Sequence, residues 1–238
     1  MTLLSIIQDH CRIHALNVPS TVVNSTDTTI QQLFGIAKEC HEDTIDQSKW
    51  QGITREALFN TAPSEDQGAL STLAPFGFMW LYPKTLYNRT LKRALYGPLN
   101  EQEWQATLAI TNPGPFYKFR LRGNHLLLTP TPGVDPHLIA FEYASSFAVN
   151  ASDGTPKAAF TSDSDTWALP EKILRKGIMF RWKQVKGLPY QVDELAYWTL
   201  VNSYIARDKV PRSYNMAEGS SPDLSPGIFV PSGNWPSS

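Results

Sequence analysis

The sequence predicts an α+β fold: a discontinuous four-helix bundle formed by N- and C-terminal helix pairs, with a β-rich insertion and an extended C-terminal arm. Three observations predict it. Apolar residues recur at three-to-four spacing through residues 2–46, the period of one helical face. From about Ile53 prolines and glycines punctuate the chain and the period drops to two, as in half-buried strands. Helical spacing then returns after Asp163-Ser-Asp-Thr166. The resulting organisation is 1–52 and 163–208 for the two helix pairs, 53–162 for the insertion and 209–238 for the arm.

The first helix, from Thr2 to about Ala15, carries Leu3, Leu4, Ile7 and Cys11 on one face, and Pro19 lies past its end. Asn24-Ser-Thr-Asp27 offers capping side chains to a second run, whose stripe is Ile30, Leu33, Phe34, Ala37, Cys40 and Ile45. In the insertion, Phe116–Arg122 alternates Tyr117, Phe119 and Leu121 against Lys118, Arg120 and Arg122. Gly123-Asn124 is a two-residue turn, and His125–Thr129 returns as the second strand of a hairpin. His137–Tyr143 alternates too and is expected to pair beside it, with weaker strands near Arg55–Asn60, Trp80–Pro83 and Leu86–Asn88. Asn100 caps a short helix through Trp104, with Glu101 and Glu103 suited to its positive end. Pro170 fits the first turn of a third long helix, with Leu174, Ile178, Trp182 and Val185 on one face. Gly187-Leu-Pro189 breaks it, and a last helix from Gln191 to Arg207 has two apolar rows: Val192, Leu195, Ala196 and Thr199, then Tyr197, Val201 and Tyr204.

Composition narrows the function. A formal net charge of −1 over 238 residues argues against bulk attraction to nucleic acid or acidic membranes. Cys11 and Cys40 are the two cysteines, which gives no disulfide framework. The opening MTLLSIIQDHCRIH lacks the features of a signal peptide, and no window reaches the roughly 18 apolar residues of a membrane span. The expectation is a soluble protein made in the cytoplasm.

Asp9, His10, Cys11 and His14 with Cys40 and His41 contain metal-ligating types, but at no recognised spacing. Core cysteines with surface histidines are the expected reading, and neither a metal nor another cofactor is expected. No nucleophile elbow, phosphate loop or dinucleotide fingerprint occurs, and the acids Glu39, Glu42, Asp43 and Asp46 have the spacing of a solvated helix face. No enzyme is expected. Lys172, Lys176, Lys183 and Lys186, flanked by Arg175, share one face of the third helix. The least demanding reading is a helix keeping its wet side wet; the sharper one is neutralisation of phosphates.

The stretch SYNMAEGSSPDLSPGIFVPSGNWPSS has the content of a solvated tail, yet contains Ile228, Phe229, Val230 and Trp235. Four anchors cannot offset the backbone entropy of ordering the whole segment. An edge contact around Ile228–Val230, flanked by prolines, is therefore expected with a partner surface.

Two stretches carry a family resemblance: LLSIIQDHCRIHALNVPSTVVNSTDTTIQQLFGIAKECHEDTIDQSKWQGITRE and TWALPEKILRKGIMFRWKQVKGLPYQVDELAYWTLVNSYIARD. Ser25-Thr-Asp27, Gln31-Gln-Leu33 and Trp50 are its markers in the first. The chain resembles the head-to-tail adaptor proteins of short-tailed bacteriophages, also called tail tubular protein A-like proteins or tail accessory factors. The resemblance covers both helix pairs. It implies a structural virion protein at the head–tail junction, forming a homo-oligomeric ring, usually of twelve copies, between the portal protein and the tail nozzle protein around the DNA channel. It also implies that the arm reaches the portal, making Ile228, Phe229, Val230 and Trp235 portal anchors. Lys172, Arg175, Lys176, Lys183 and Lys186 would then face viral DNA or a neighbouring subunit. The alternative is a binding module for carbohydrate or protein that uses Trp80, Tyr82, Tyr87 and Tyr117 as a stacking platform.

Overall fold

The computed structural model describes residues 1–110 and 114–208. Among these the chain is mixed α+β, with six α-helices and three small sheets. It divides into two compact units. The first comprises Met1–Arg55, Pro75–Trp80 and the chain from Tyr143 through the last helix; the second comprises Glu56–Ala74 and Leu81–Glu142.

The first unit holds the long helices α1 (Leu3–Ile13), α2 (Thr28–Asp46), α5 (Glu171–Val185) and α6 (Gln191–Asp208). Thr2 and Asp27 cap α1 and α2, each accepting from a first-turn backbone N–H at 3.3 and 2.8 Å. α5 is the central helix of the set, packed against α2 on one side and α6 on another, while α1 touches both α2 and α5. Its approach to α2 needs Gly177, where a Cβ would lie 2.1 Å from Cys40 Sγ. Leu3, Ile7 and Cys11 of α1 share one apolar core with Leu33, Ala37 and Cys40 of α2, Leu174 and Ile178 of α5, and Tyr197 and Val201 of α6.

Residues 143–162, expected in the insertion, belong to this unit. Ala148, Val149 and Phe160 are buried in the helical core. Burial of these apolar side chains ties their backbone there. β9 (Val149–Asn150), β10 (Pro156–Lys157) and β11 (Thr166–Trp167) form a three-stranded antiparallel sheet in the order β10-β9-β11. It holds the N-terminus through a bridge between Thr2 and Thr166 and a 2.8 Å bond from the Leu3 amide to the Asp165 carbonyl. Asp163 and Asp165 stabilise the approach to α5. Asp163 accepts from Thr21 Oγ1 and the Val22 and Val23 amides at 2.6–2.9 Å. Asp165, 1 % exposed, accepts from Lys157 Nζ and the Thr161 and Ser162 amides.

The second unit is built around the predicted hairpin. β6 (Lys118–Arg122) and β7 (His125–Thr129) pair in the register Phe119 to Leu128. Gly123 and Asn124 have φ of 58° and 65°, the backbone of a primed two-residue turn. α4 (Glu101–Ala109) opens with a capping box made by Asn100 and Glu103. β1 (Thr54–Asn60), β2 (Asp66–Ala69), the single turn α3 (Leu70–Leu73), β3 (Phe78–Leu81), β4 (Tyr87–Asn88), β5 (Arg93–Ala94) and β8 (Leu138–Ser145) complete the chain. The strand at His137–Tyr143 does not pair beside the hairpin. β2 occupies the free edge of β7, whereas β8 lies between β1 and β4 and also pairs with β3. All of β8 except Leu138 and Glu142 is buried. A strand covered on both faces suits an interior position rather than a hairpin edge.

Candidate functional site

α6 presents two apolar rows with different fates. Tyr197 and Val201 are buried. The Tyr197 hydroxyl lies 3.0 Å from Thr44 Oγ1, and its ring centroid is 5.0 Å from that of Phe180. Val192 and Leu195 of the other row remain 83 % and 70 % exposed. With Ala196, Thr199, Leu200 and Ser203 they line an open groove of about 500 Å³. Thr199 Oγ1 donates to the Leu195 carbonyl and Ser203 Oγ to the Leu200 carbonyl, both at 2.8 Å. The two hydroxyls are thus satisfied by their own helix, so the groove is more apolar than its sequence reads.

The basic stripe of α5 is divided. Lys183 Nζ is 2.5 Å from Asp193 Oδ2, an ion pair joining α5 to α6. Arg175 Nη2 is 3.4 Å from Asp9 Oδ2. Lys172, Lys176 and Lys186 have no ion-pair partner among the described residues. Lys172, Arg175 and Lys176 line a pocket of about 270 Å³ between α1 and α5 together with Ile6, His10, Ile13 and Met179. Val185, expected on the packed face of α5, is 55 % exposed. It lies in the last turn of α5.

His10, His14 and Trp182 form a ring cluster beside this pocket, with centroids 4.5–5.3 Å apart. Burial, then the neighbouring His14, lowers the His10 pKa to about 4. His14 is lowered too, by burial and then by the Lys183 charge, with Asp193 opposing. Both rings are neutral near pH 7.

Of the metal-ligating types, His10 and His14 lie with ring centroids 4.5 Å apart, and the described residues contain no group of three that could hold a metal ion. Cys11 and Cys40 are buried as expected, and burial raises both thiol pKa values. The histidines correct the expectation, because His10 and His41 are 6 % and 2 % exposed rather than on the surface. His41 accepts from Trp167 Nε1 at 2.9 Å through Nδ1 and donates from Nε2 to the Ala158 carbonyl at 3.2 Å. That pattern requires the neutral ring, and burial lowers its pKa.

Glu103 is spent on the α4 cap, and Glu101 pairs with Arg120 at 3.0 Å. Of the aromatic platform, Trp80 is 47 % exposed. Tyr87 lies in β4 between β5 and β8, and the Tyr117 hydroxyl is 3.1 Å from His137 Nδ1. Ile228, Phe229, Val230 and Trp235 lie outside the described residues.

Sequence reasoning missed the anchoring roles of Asp163 and Asp165. Their Asp-Ser-Asp spacing reads as a helix start, and the carboxylate partners at Thr21–Val23 are distant in sequence. No helix among the described residues is long and apolar enough to cross a membrane. Neither a protein-family model nor a curated protein sequence matches the chain.

Proposed function

We propose that the protein is a structural adaptor of a short-tailed bacteriophage virion, with no enzymatic activity. Copies form a ring between the portal and the tail nozzle around the DNA channel. In this reading α1, α2, α5 and α6 are a four-helix bundle, the second unit is its β-rich insertion, and residues 209–238 are an arm to the portal.

The observation that carries the reading is the uncovered groove on α6. An exposed apolar seam marks an association surface, and α6 is the helix from which the arm departs. Groove and arm are therefore continuous along the chain. Ile228, Phe229, Val230 and Trp235 add weak anchors that gain avidity when repeated around a ring.

Co-sedimentation with the cognate portal ring tests this, comparing the full chain with a truncation ending at Asp208. The full chain is expected to sediment as a ring complex and the truncation to lose most of that binding. Absence of binding by either overturns the adaptor reading. Equal binding by both overturns the role of the arm.

A further inference from the structure

Two charged faces of the helical unit have opposite sign. On α5, Lys172 and Lys176 are one turn apart and Arg175 lies beside them, around a pocket whose apolar edge includes Ile13, 62 % exposed. On α2, Gly35, Glu39, Glu42 and Asp46 follow the spacing of a single helical face, and all four are exposed. The contact between α2 and α5 uses other residues, with Cys40 against Gly177 and Asp43 against Arg181. The basic and acidic faces therefore lie outside that contact.

Gly35 is the independent observation. Glycine inside a helix costs stability relative to alanine, and a Cβ at Gly35 would meet nothing within 4 Å. Packing among the described residues gives no reason for it. A helix that must be approached closely from outside does.

We infer that the basic α1–α5 groove of one copy receives the acidic, Gly35-bearing face of α2 from a second copy. Glu42 and Asp46 are spaced one turn apart, as are Lys172 and Lys176, so the two stripes can register along crossing helices. Two different patches meeting head to tail make a heterologous interface, the kind that closes into a ring when its rotation permits. The inference rests on the ring reading above and assigns the basic stripe to a neighbouring subunit rather than to DNA.

The test is charge exchange. One variant carries Lys172→Glu and Lys176→Glu; the other carries Glu42→Lys and Asp46→Lys. Each alone sets like charges across every interface, so assembly should require roughly tenfold higher concentration or more. An equimolar mixture restores opposite charges at every junction of an alternating ring and should assemble like wild type, which also demonstrates that both variants fold. Assembly is read by sedimentation velocity with and without the portal ring. Variants that assemble alone as wild type does, or a mixture that fails to recover, overturn this interface while leaving the adaptor reading intact. A wild-type chain that forms no ring under either condition overturns both.

Discussion

Gly35 and Gly177 show how one residue type serves opposite ends. At Gly177 an alanine Cβ would lie 2.1 Å from Cys40 Sγ and 3.1 Å from the Tyr197 ring. Overpacking of this kind costs about 2 kcal/mol, more than the helix propensity of alanine returns. At Gly35 the space is empty, and Gly35→Ala should stabilise the isolated chain by about 1 kcal/mol. Urea denaturation of the two variants is expected to shift the midpoint in opposite directions. A stabilising Gly177→Ala would show that α2 and α5 can separate without loss. Nothing local to Arg175–Met179 distinguishes Gly177, because its neighbours come from α2 and α6.

At the scale of the element, α6 is the informative case. Its two apolar rows look equivalent along the chain, and only docking on α5 decides which is covered. Tyr197 and Val201 contribute to the core, whereas Val192 and Leu195 face outward. The double substitution Val192→Lys, Leu195→Lys should leave the melting temperature of the isolated chain nearly unchanged, within about 0.5 kcal/mol of stability. The same variant should lose portal-ring binding in co-sedimentation. A large drop in melting temperature would mean that the row is structurally engaged. The hairpin at the other extreme was legible, since Gly123-Asn124 and the flanking alternation specify strand, turn and returning strand within a dozen residues, although the first strand starts at Lys118 rather than Phe116.

Acid response belongs to the whole molecule, because it sums groups from distant segments. His10, His14 and His41 have pKa values lowered from 6.5, His10 to about 4. Below pH 6.5 the unfolded chain takes up protons that the folded rings refuse, so stability falls, for His10 down to about pH 4. For Asp163 and Asp165 burial alone would raise the pKa. The Thr21 hydroxyl and the Val22 and Val23 amides at Asp163, and Lys157 with two amides at Asp165, outweigh it and hold both below 3.8. Their contribution is present above 3.8 and lost as pH falls further, the same sign in a lower window. Melting temperature followed from pH 7 to pH 3 should decline throughout; a level profile between pH 6.5 and 4 would show that the buried histidines accept protons without cost.

By itself the sequence determined the elements and their order among the described residues: four long helices, the hairpin and the capped α4. Those depend on periodicity, capping and turn chemistry, which act over a few residues. Tertiary structure alone decided that β8 pairs with β1, β3 and β4, and that residues 143–162 join the helical core. It also divided the basic stripe between internal ion pairs and lysines with no ion-pair partner among the described residues, and left Val192 and Leu195 of α6 exposed. Each of these outcomes depends on which distant segment covers a surface in the folded chain, and burial of apolar area is blind to separation along the chain.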